Sequence, residues 1–264
     1  LGGRSPDHRW GSGALQEMDH TPVLSSVTKA AWTTHSRADL SADAARAFAL
    51  AASARPGPVF WDVPMDVLFS MAPDAAGDAD VIVAAPEPDP NAVARAAALL
   101  DGASRPVMVL GSGVWTADAV DAARELVRER NLPVIANGMG RGVIPAHDPH
   151  LVTRARGAAL AQADLVVVVG TPLDFRLGYG VFGDPPAAVV HVIETPDQQS
   201  SAATVAELVV GDLRAALTGL MRGAAADTTW VTGLRDRALA AIAADRAQLS
   251  ADTDPVSPMR IYGE

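Results

Sequence analysis

Cysteine is absent from this 264-residue chain. Thiolate nucleophiles, cysteine–zinc sites and disulfide frameworks are excluded together. Lysine is almost absent: Lys29 is the only one, so nearly every positive charge is an arginine. That pattern reads first as a compositional bias rather than as phosphate recognition. Long apolar runs are missing as well. The longest strongly apolar stretch, Leu165–Val169, falls far below the roughly 18 residues that a membrane span needs. A surplus of positive charge is lacking too, since the net charge is -10. General affinity for nucleic acid or an anionic membrane is therefore not expected. No apolar signal region follows Leu1-Gly2-Gly3-Arg4, and there is no initiator methionine. The chain is expected to begin within a longer protein, cytoplasmic by default. No Gly-x-Ser-x-Gly elbow occurs, which argues against an α/β-hydrolase triad. His147-Asp148-Pro149-His150 has an HxxH outline, but its Asp-Pro step marks a turn and no further ligand lies nearby. A metal site is not expected there.

At 27.2 kDa a compact chain buries roughly 72 % of its unfolded surface, enough for a core without staples. Residues 1–71 form one block. It has a glycine-rich start, a polar segment over 16–20, an expected strand near Val27 and an alanine-rich helix over 41–54. Ser41 is the expected N-cap, with Asp43 favourable in the first turn. The strand 59–63 closes the block between Pro58 and Pro64, whose fixed φ and missing N–H make both ends rigid. Residues 72–90 are rich in proline, alanine and aspartate and read as a linker.

Residues 91–222 alternate helix and strand. Helices are expected over 91–100 from an Asn91 cap, 116–130 from a Thr116 cap, 151–163 and 212–221. Short apolar strands are expected over 107–110, 133–136, 165–169, 189–193 and 206–210. Buried strands alternating with helices predict a parallel sheet covered on both faces. With right-handed crossovers this is a doubly wound, Rossmann-like α/β domain. Residues 223–264 then hold one amphipathic helix with Val231, Leu234, Ala238, Ile242 and Leu249 on one face.

Several segments carry candidate chemistry. Gly111-Ser112-Gly113 sits between the first central strand and its helix, where a dinucleotide fold puts its phosphate loop. Thr116 replaces the third glycine, and the second strand ends in Ala136-Asn137 without the acidic residue that holds a ribose. A standard NAD dehydrogenase is not expected, and an ordinary tight turn explains the glycines without a ligand. Gly138, Met139, Gly140 and Gly142 punctuate the next loop, with Arg141, Arg154 and Arg156 as phosphate donors or as solvated surface. Asp174 and Arg176 follow the third strand. Glu194 follows the fourth, as an acceptor for a ribose or adenine group or as a turn cap. Gln16, Glu17, Asp19 and His20 form a polar cluster that spacing alone assigns to a surface loop.

Three separated segments resemble one family. Leu15-Gln16-Glu17-Met18-Asp19-His20, with Val27-Thr28-Lys29 behind it, resembles the active-site edge of the pyrimidine-binding domain of thiamine diphosphate enzymes of the acetolactate synthase type. The run from Arg55 to Asp66 (Arg-Pro-Gly-Pro-Val-Phe-Trp-Asp-Val-Pro-Met-Asp) resembles the last strand of that domain. Residues 91–222 resemble the family's central domain. The resemblance extends to 2-hydroxyacyl-CoA lyases and oxalyl-CoA decarboxylases. It implies an α/β chain in which the C-terminal part of one α/β domain precedes a Rossmann-like central domain.

It also implies an oligomeric enzyme, a homodimer or tetramer, acting on a 2-keto acid or an acyl-CoA with thiamine diphosphate and magnesium. FAD or ADP is implied for the central domain. Gln16 matches a glutamine at the active-site entrance, and Arg55 an arginine that approaches the flavin. Gly111, Ser112, Gly113, Gly138, Met139, Gly140, Arg154, Asp174, Arg176 and Glu194 are the cofactor-contacting candidates. By the same resemblance the activating glutamate lies upstream of residue 1. The Gly-Asp-Gly…Asn motif that binds magnesium lies downstream of residue 264, so residues 223–264 lead toward an absent diphosphate-binding domain. The 264 residues alone are therefore expected to be inactive. Met65 stands where biosynthetic acetolactate synthases carry lysine. The rival expectations are a stand-alone nucleotide-binding module and a non-catalytic subunit.

Overall fold

The computed structural model describes residues 1–71, 85–199 and 202–263. It divides into two units, Leu1–Ala85 and Pro86–Glu264. Residues 72–84 of the expected linker lie outside the described residues. Residues 86–90 of that linker belong to the second unit, where Asp212 donates its backbone N–H to Pro86 O at 2.7 Å.

The first unit is a three-stranded parallel sheet in the order β1 (Gly2–Arg4), β3 (Phe60–Pro64), β2 (Ala31–Thr33). Helix α1 (His20–Leu24) precedes β2, α2 (Leu40–Ala52) connects β2 to β3, and α3 (Met65–Leu68) follows. The strand expected near Val27 lies four residues later. Val27 instead ends the turn after α1 and is two-thirds exposed. Pairing begins only where Phe60 N–H reaches Ala30 O at 2.9 Å. Ser41 is not the cap of α2. A 3₁₀ turn over Arg37–Asp39 leads in, capped by Ser36, whose side chain accepts from Ala38 N–H.

The second unit holds a five-stranded parallel sheet in the order β5-β4-β6-β7-β8. Its strands are β4 (Pro106–Leu110), β5 (Val134–Ala136), β6 (Leu165–Val169), β7 (Ala188–Ile193) and β8 (Glu207–Val210). Every residue of β4 and β6 is buried, as their unbroken apolar runs require of strands covered on both faces. Helices α4 (Pro90–Gly102), α6 (Val120–Glu129) and α8 (Leu213–Gly219) supply one core, around Met108, Leu110, Val167 and Val192. Helix α7 (Arg156–Gln162) and the long α9 (Thr228–Leu249) supply the other, around Val109, Ile135, Val168 and Leu234. The unit is doubly wound, and its strand order reverses between β4 and β6, the switch point where such sheets open a crevice at their carboxyl edge.

Helix starts differ from the sequence expectation where polar residues compete for the same amides. Asp89, not Asn91, caps α4, its carboxylate accepting from Asn91 N–H at 2.9 Å. The helix expected over 116–130 is two helices. Helix α5 (Gly113–Thr116) ends after one turn, Asp118 takes φ 51°, and α6 then starts at Val120. Thr116 closes the first rather than capping the second: its hydroxyl donates to Gly113 O at 3.2 Å. Leu151 pairs with Val134 as an isolated bridge, so the helical segment starts later, as a 3₁₀ turn at Thr153–Ala155. Helix α9 buries Val231, Leu234 and Ala238 against the second unit, while Ile242 and Leu249 are only partly covered.

The turn between α8 and α9 is fixed by Arg130. Its guanidinium is fully buried and donates to Ala224 O at 2.8 Å, to Leu220 O at 3.0 Å and to Asp101 Oδ1 at 2.6 Å. Gly223 passes this cluster at φ 134°, where a Cβ would meet Asp101 Oδ1 at 2.0 Å. No helix among the described residues is long and apolar enough to cross a membrane.

Candidate functional site

The carboxyl edge of the central sheet brings together residues far apart in sequence. The loops after β4, β5, β6 and β7 carry Ser112, Asn137, Asp174 with Arg176, and Glu194 respectively. The backbone at the switch point is packed against itself. A Cβ on Gly111 would lie 2.3 Å from Thr171 Cβ, one on Gly113 2.7 Å from Gly170 Cα, and one on Gly140 2.0 Å from Leu110 O. Gly113 N–H donates to Gly170 O at 2.8 Å. These glycines are needed because backbone approaches backbone, so their missing side chains do not by themselves indicate a phosphate. Gly138 is different. It takes φ 53° with open space around it, and Met139 beside it is three-quarters exposed.

A polar relay crosses the edge. Asn137, buried at the end of β5, donates from Nδ2 to Thr171 Oγ1 at 3.1 Å and accepts from Arg156 Nη1 at 3.2 Å. Arg156 also donates to the backbone carbonyl of Arg176. Arg176 forks onto Asp174, with Nε 3.0 Å from Oδ2. Asp174 also caps the 3₁₀ turn Phe175–Gly180, accepting from Arg176 N–H at 2.9 Å. The Arg176 guanidinium holds the Asp174 carboxyl below the usual carboxylate range, and Asp174 in turn raises the arginine. Behind the edge, His191 is fully buried on β7 and donates from Nε2 to Thr171 O at 3.0 Å. Burial pushes its pKa down, against the opposing bond to Thr171.

Arg156 and Arg176 reach one side of a cleft of about 260 Å³ whose other lining includes Leu160, Leu177, Val181 and Phe182. Glu194 is buried to 4 % exposure, with its own N–H donating to Gln198 Oε1 at 2.9 Å. Arg154 is turned away from this group and pairs with Asp245 on α9. Arg141 is exposed beside an isolated bridge to Ile144. His150 is occupied by Asp148 at 2.8 Å and Asn131 at 3.1 Å and braces a turn. Among the described residues no group of three or more metal-ligating side chains converges.

In the first unit the loop over 11–17 is organised by Glu17. Its carboxylate accepts N–H bonds from Gly11 at 3.0 Å, Gly13 at 3.0 Å and Ala14 at 2.9 Å. Gln16 stands on that loop at φ 63°, exposed beside Leu15. Arg55 also takes a positive φ, 57°, before Pro56.

The same unit holds a buried polar layer. Asp62 faces Gly2 and Thr33 across β3 and is 0 % exposed. One of its oxygens lies 3.2 Å from His20 Nδ1. Arg4, 6 % exposed, stacks over Trp10 at 3.6 Å and reaches Thr33 Oγ1 at 3.4 Å. The Asp62–His20 pair spans 42 positions and leaves no local signal, so sequence reading names His20 only as part of a polar loop and Asp62 only as part of a strand. Asn137 is legible as the end of a strand, but its part in the arginine relay is not.

Comparison with known proteins agrees with this architecture. Residues 93–220 match the family described as thiamine pyrophosphate enzyme, central domain. An acetolactate synthase large subunit of Mycobacterium tuberculosis is 40 % identical over 268 residues, covering 100 % of this chain and 49 % of its own length. An oxalyl-CoA decarboxylase of Escherichia coli is 31 % identical over 79 % of this chain and 38 % of its own length. Human 2-hydroxyacyl-CoA lyase 2 is 27 % identical over 89 % of this chain and 44 % of its own length. The chain thus spans about half, or less, of each of these relatives. Residues 93–220 thus belong to the thiamine pyrophosphate enzyme central-domain family, and over its whole length the chain is similar to part of acetolactate synthase-like proteins.

Proposed function

We propose that this chain is a portion of a thiamine diphosphate-dependent carboligase or decarboxylase acting on 2-keto acids. The observation that carries this reading is the 40 % identity that runs through the whole chain, covering both units, to an acetolactate synthase large subunit. Thiamine diphosphate supplies the electron sink for loss of carbon dioxide. The chain's own contribution to that site is the loop held by Glu17, which presents Gln16. Residues outside this chain activate the cofactor and hold its magnesium.

The central domain is read as a nucleotide site for FAD or ADP. The donor set fits the phosphates of such a group. Arg156 and Arg176 are planar cations at the carboxyl edge of a doubly wound sheet, Asn137 orients the first, and the exposed Ser112 stands on the loop after β4. Glu194, on the neighbouring strand end, is the candidate acceptor for a ribose or an adenine amine. The packed glycines 111, 113 and 140 hold these loops together rather than cradle the ligand. Arg154 has no direct part, because its partner is Asp245.

A second reading, an acyl-CoA lyase or decarboxylase, is favoured by Met65 and by the oxalyl-CoA decarboxylase and 2-hydroxyacyl-CoA lyase relatives. A homodimer or tetramer in a cytoplasmic setting accompanies either reading. The deciding experiment supplies full-length protein, thiamine diphosphate and magnesium with pyruvate or with oxalyl-CoA. Acetolactate formed from pyruvate supports the first reading, and carbon dioxide released from oxalyl-CoA alone supports the second. FAD or ADP released on denaturing the purified protein tests the nucleotide site. Its affinity should fall at least tenfold in Arg156→Ala.

A further inference from the structure

We propose that His20 transfers a proton to and from the oxygen of the substrate's 2-keto group, and that the buried carboxylate of Asp62 is the positioning group that fixes its ring. The proposal rests on the thiamine diphosphate-dependent reading above.

The geometry is that of a carboxylate–histidine dyad. Asp62 sits at the middle of the central strand of its sheet with its side chain 0 % exposed, and its Oδ2 is 3.2 Å from His20 Nδ1. A carboxylate oxygen accepts, so Nδ1 carries the hydrogen and Nε2 keeps its lone pair. The ring is held a second time by an edge-on contact to Phe60, centroids 6.0 Å apart at 69°. His20 is the more open partner, its side chain 20 % exposed. The second oxygen of Asp62 is buried without a hydrogen-bond partner. Burying a carboxylate that is only half satisfied is costly, and a ring that merely filled space would need no such group beneath it.

Position points the same way. His20 opens α1 four residues after Gln16, just beyond the loop that Glu17 ties down through three backbone amides. In the proposal, His20 and Gln16 serve the same substrate from neighbouring positions of this segment. As a nucleophile adds to the 2-keto carbon, the C=O π pair moves to the oxygen, which takes a proton from Nε2 of the imidazolium, whose charge Asp62 offsets. When the C=O re-forms, the O–H electron pair becomes the π pair and the Nε2 lone pair takes the proton back. The proton is returned within the cycle, so no co-reactant is consumed.

The test uses the full-length enzyme with thiamine diphosphate, magnesium and pyruvate. His20→Asn keeps a donor toward Asp62 but has no basic nitrogen to shuttle a proton. We expect kcat to fall about 100-fold or more, with KM for pyruvate within about threefold and the melting temperature unchanged. Histidine-selective ¹⁵N spectra of the wild type should show the His20 ring as the single Nδ1–H tautomer. Asp62→Asn should shift that ring toward the other tautomer and lower kcat by a smaller factor. Wild-type kcat in His20→Asn overturns the proposal, because a purely structural bond would be rescued by asparagine. An Nε2–H ring in the wild-type enzyme overturns it as well, even if Asp62→Asn fails to fold. A wild-type enzyme inactive on pyruvate removes the functional reading itself, and the proposal with it.

Discussion

Nη2 of the fully buried Arg130 lies 2.6 Å from Oδ1 of Asp101, across 29 positions of sequence. The same carboxylate oxygen accepts from Ala224 N–H at 3.2 Å, so one ion pair fixes the turn that delivers α9 to the sheet. Removing one partner of a buried ion pair typically costs about 3–5 kcal/mol. Arg130→Ala should destabilise the second unit by that order, and urea denaturation followed by circular dichroism measures it. Asp101→Asn should cost less, because Asp101 is half-exposed and the asparagine oxygen still accepts.

Packing at the switch point predicts a sharp contrast among glycines. Gly140→Ala places a Cβ 2.0 Å from Leu110 O and should cost about 1–3 kcal/mol or more, as overpacking does. Gly138→Ala meets nothing but a backbone at φ 53° and should cost only about 1 kcal/mol. Gly157→Ala, with no atom within 4 Å, should be neutral or slightly stabilising because it lies inside a helix. Melting temperatures of the three variants would rank them.

His191 gives a pH dependence with a definite sign. Its folded pKa lies below the ordinary 6.5, so the unfolded chain binds more protons between those two values. Stability therefore rises with pH through that window and is lost as pH falls below about 6.5. His191→Gln keeps a donor for Thr171 O but does not titrate. The drop in melting temperature between pH 7 and pH 5 should shrink in that variant, and an undiminished drop would assign the effect to other groups.

The Glu17 loop makes a prediction that needs no substrate. A hydrogen bond to a charged acceptor contributes about 1.5–3 kcal/mol. In Glu17→Ala the amides of Gly11, Gly13 and Ala14 should exchange at least tenfold faster, while those of β3 stay protected. Uniform acceleration across the first unit would mean that Glu17 holds more than its loop.

The sequence is a good guide where one physical signal dominates. Leu165–Val169 reads as a strand and is one, because an unbroken β-branched run has no other use in a parallel sheet. Asp212 starts its helix as expected, since nothing nearby competes for its amides. Boundaries fail where two caps are available. Asp89 precedes Asn91 and takes the amide first, and Ser36 builds a 3₁₀ turn ahead of Ser41. The helix expected over 116–130 breaks at Asp118, whose carbonyl and carboxylate both accept from Arg214, 96 positions away.

The candidate sites show the same divide. Loops at strand ends are foreseeable from alternation alone, and Ser112, Asn137, Asp174, Arg176 and Glu194 stand in the loops after β4, β5, β6 and β7. Which way an arginine turns is not foreseeable. Arg154 and Arg156 differ by two positions, yet one pairs with α9 and the other joins the relay. The Asp62–His20 contact depends on strand register, which is fixed only once the sheet is assembled.

The mutual contact of Gly111, Gly113 and Gly170 divides the central domain into parts that can change and parts that cannot. A side chain at any of these three positions would wedge β4 away from β6, so variation there is closed off. The residues that project outward from the same loops, Ser112, Met139 and Phe175, are exposed and carry none of that load. A lineage built on this frame can exchange these outward-facing side chains while the sheet beneath stays the same.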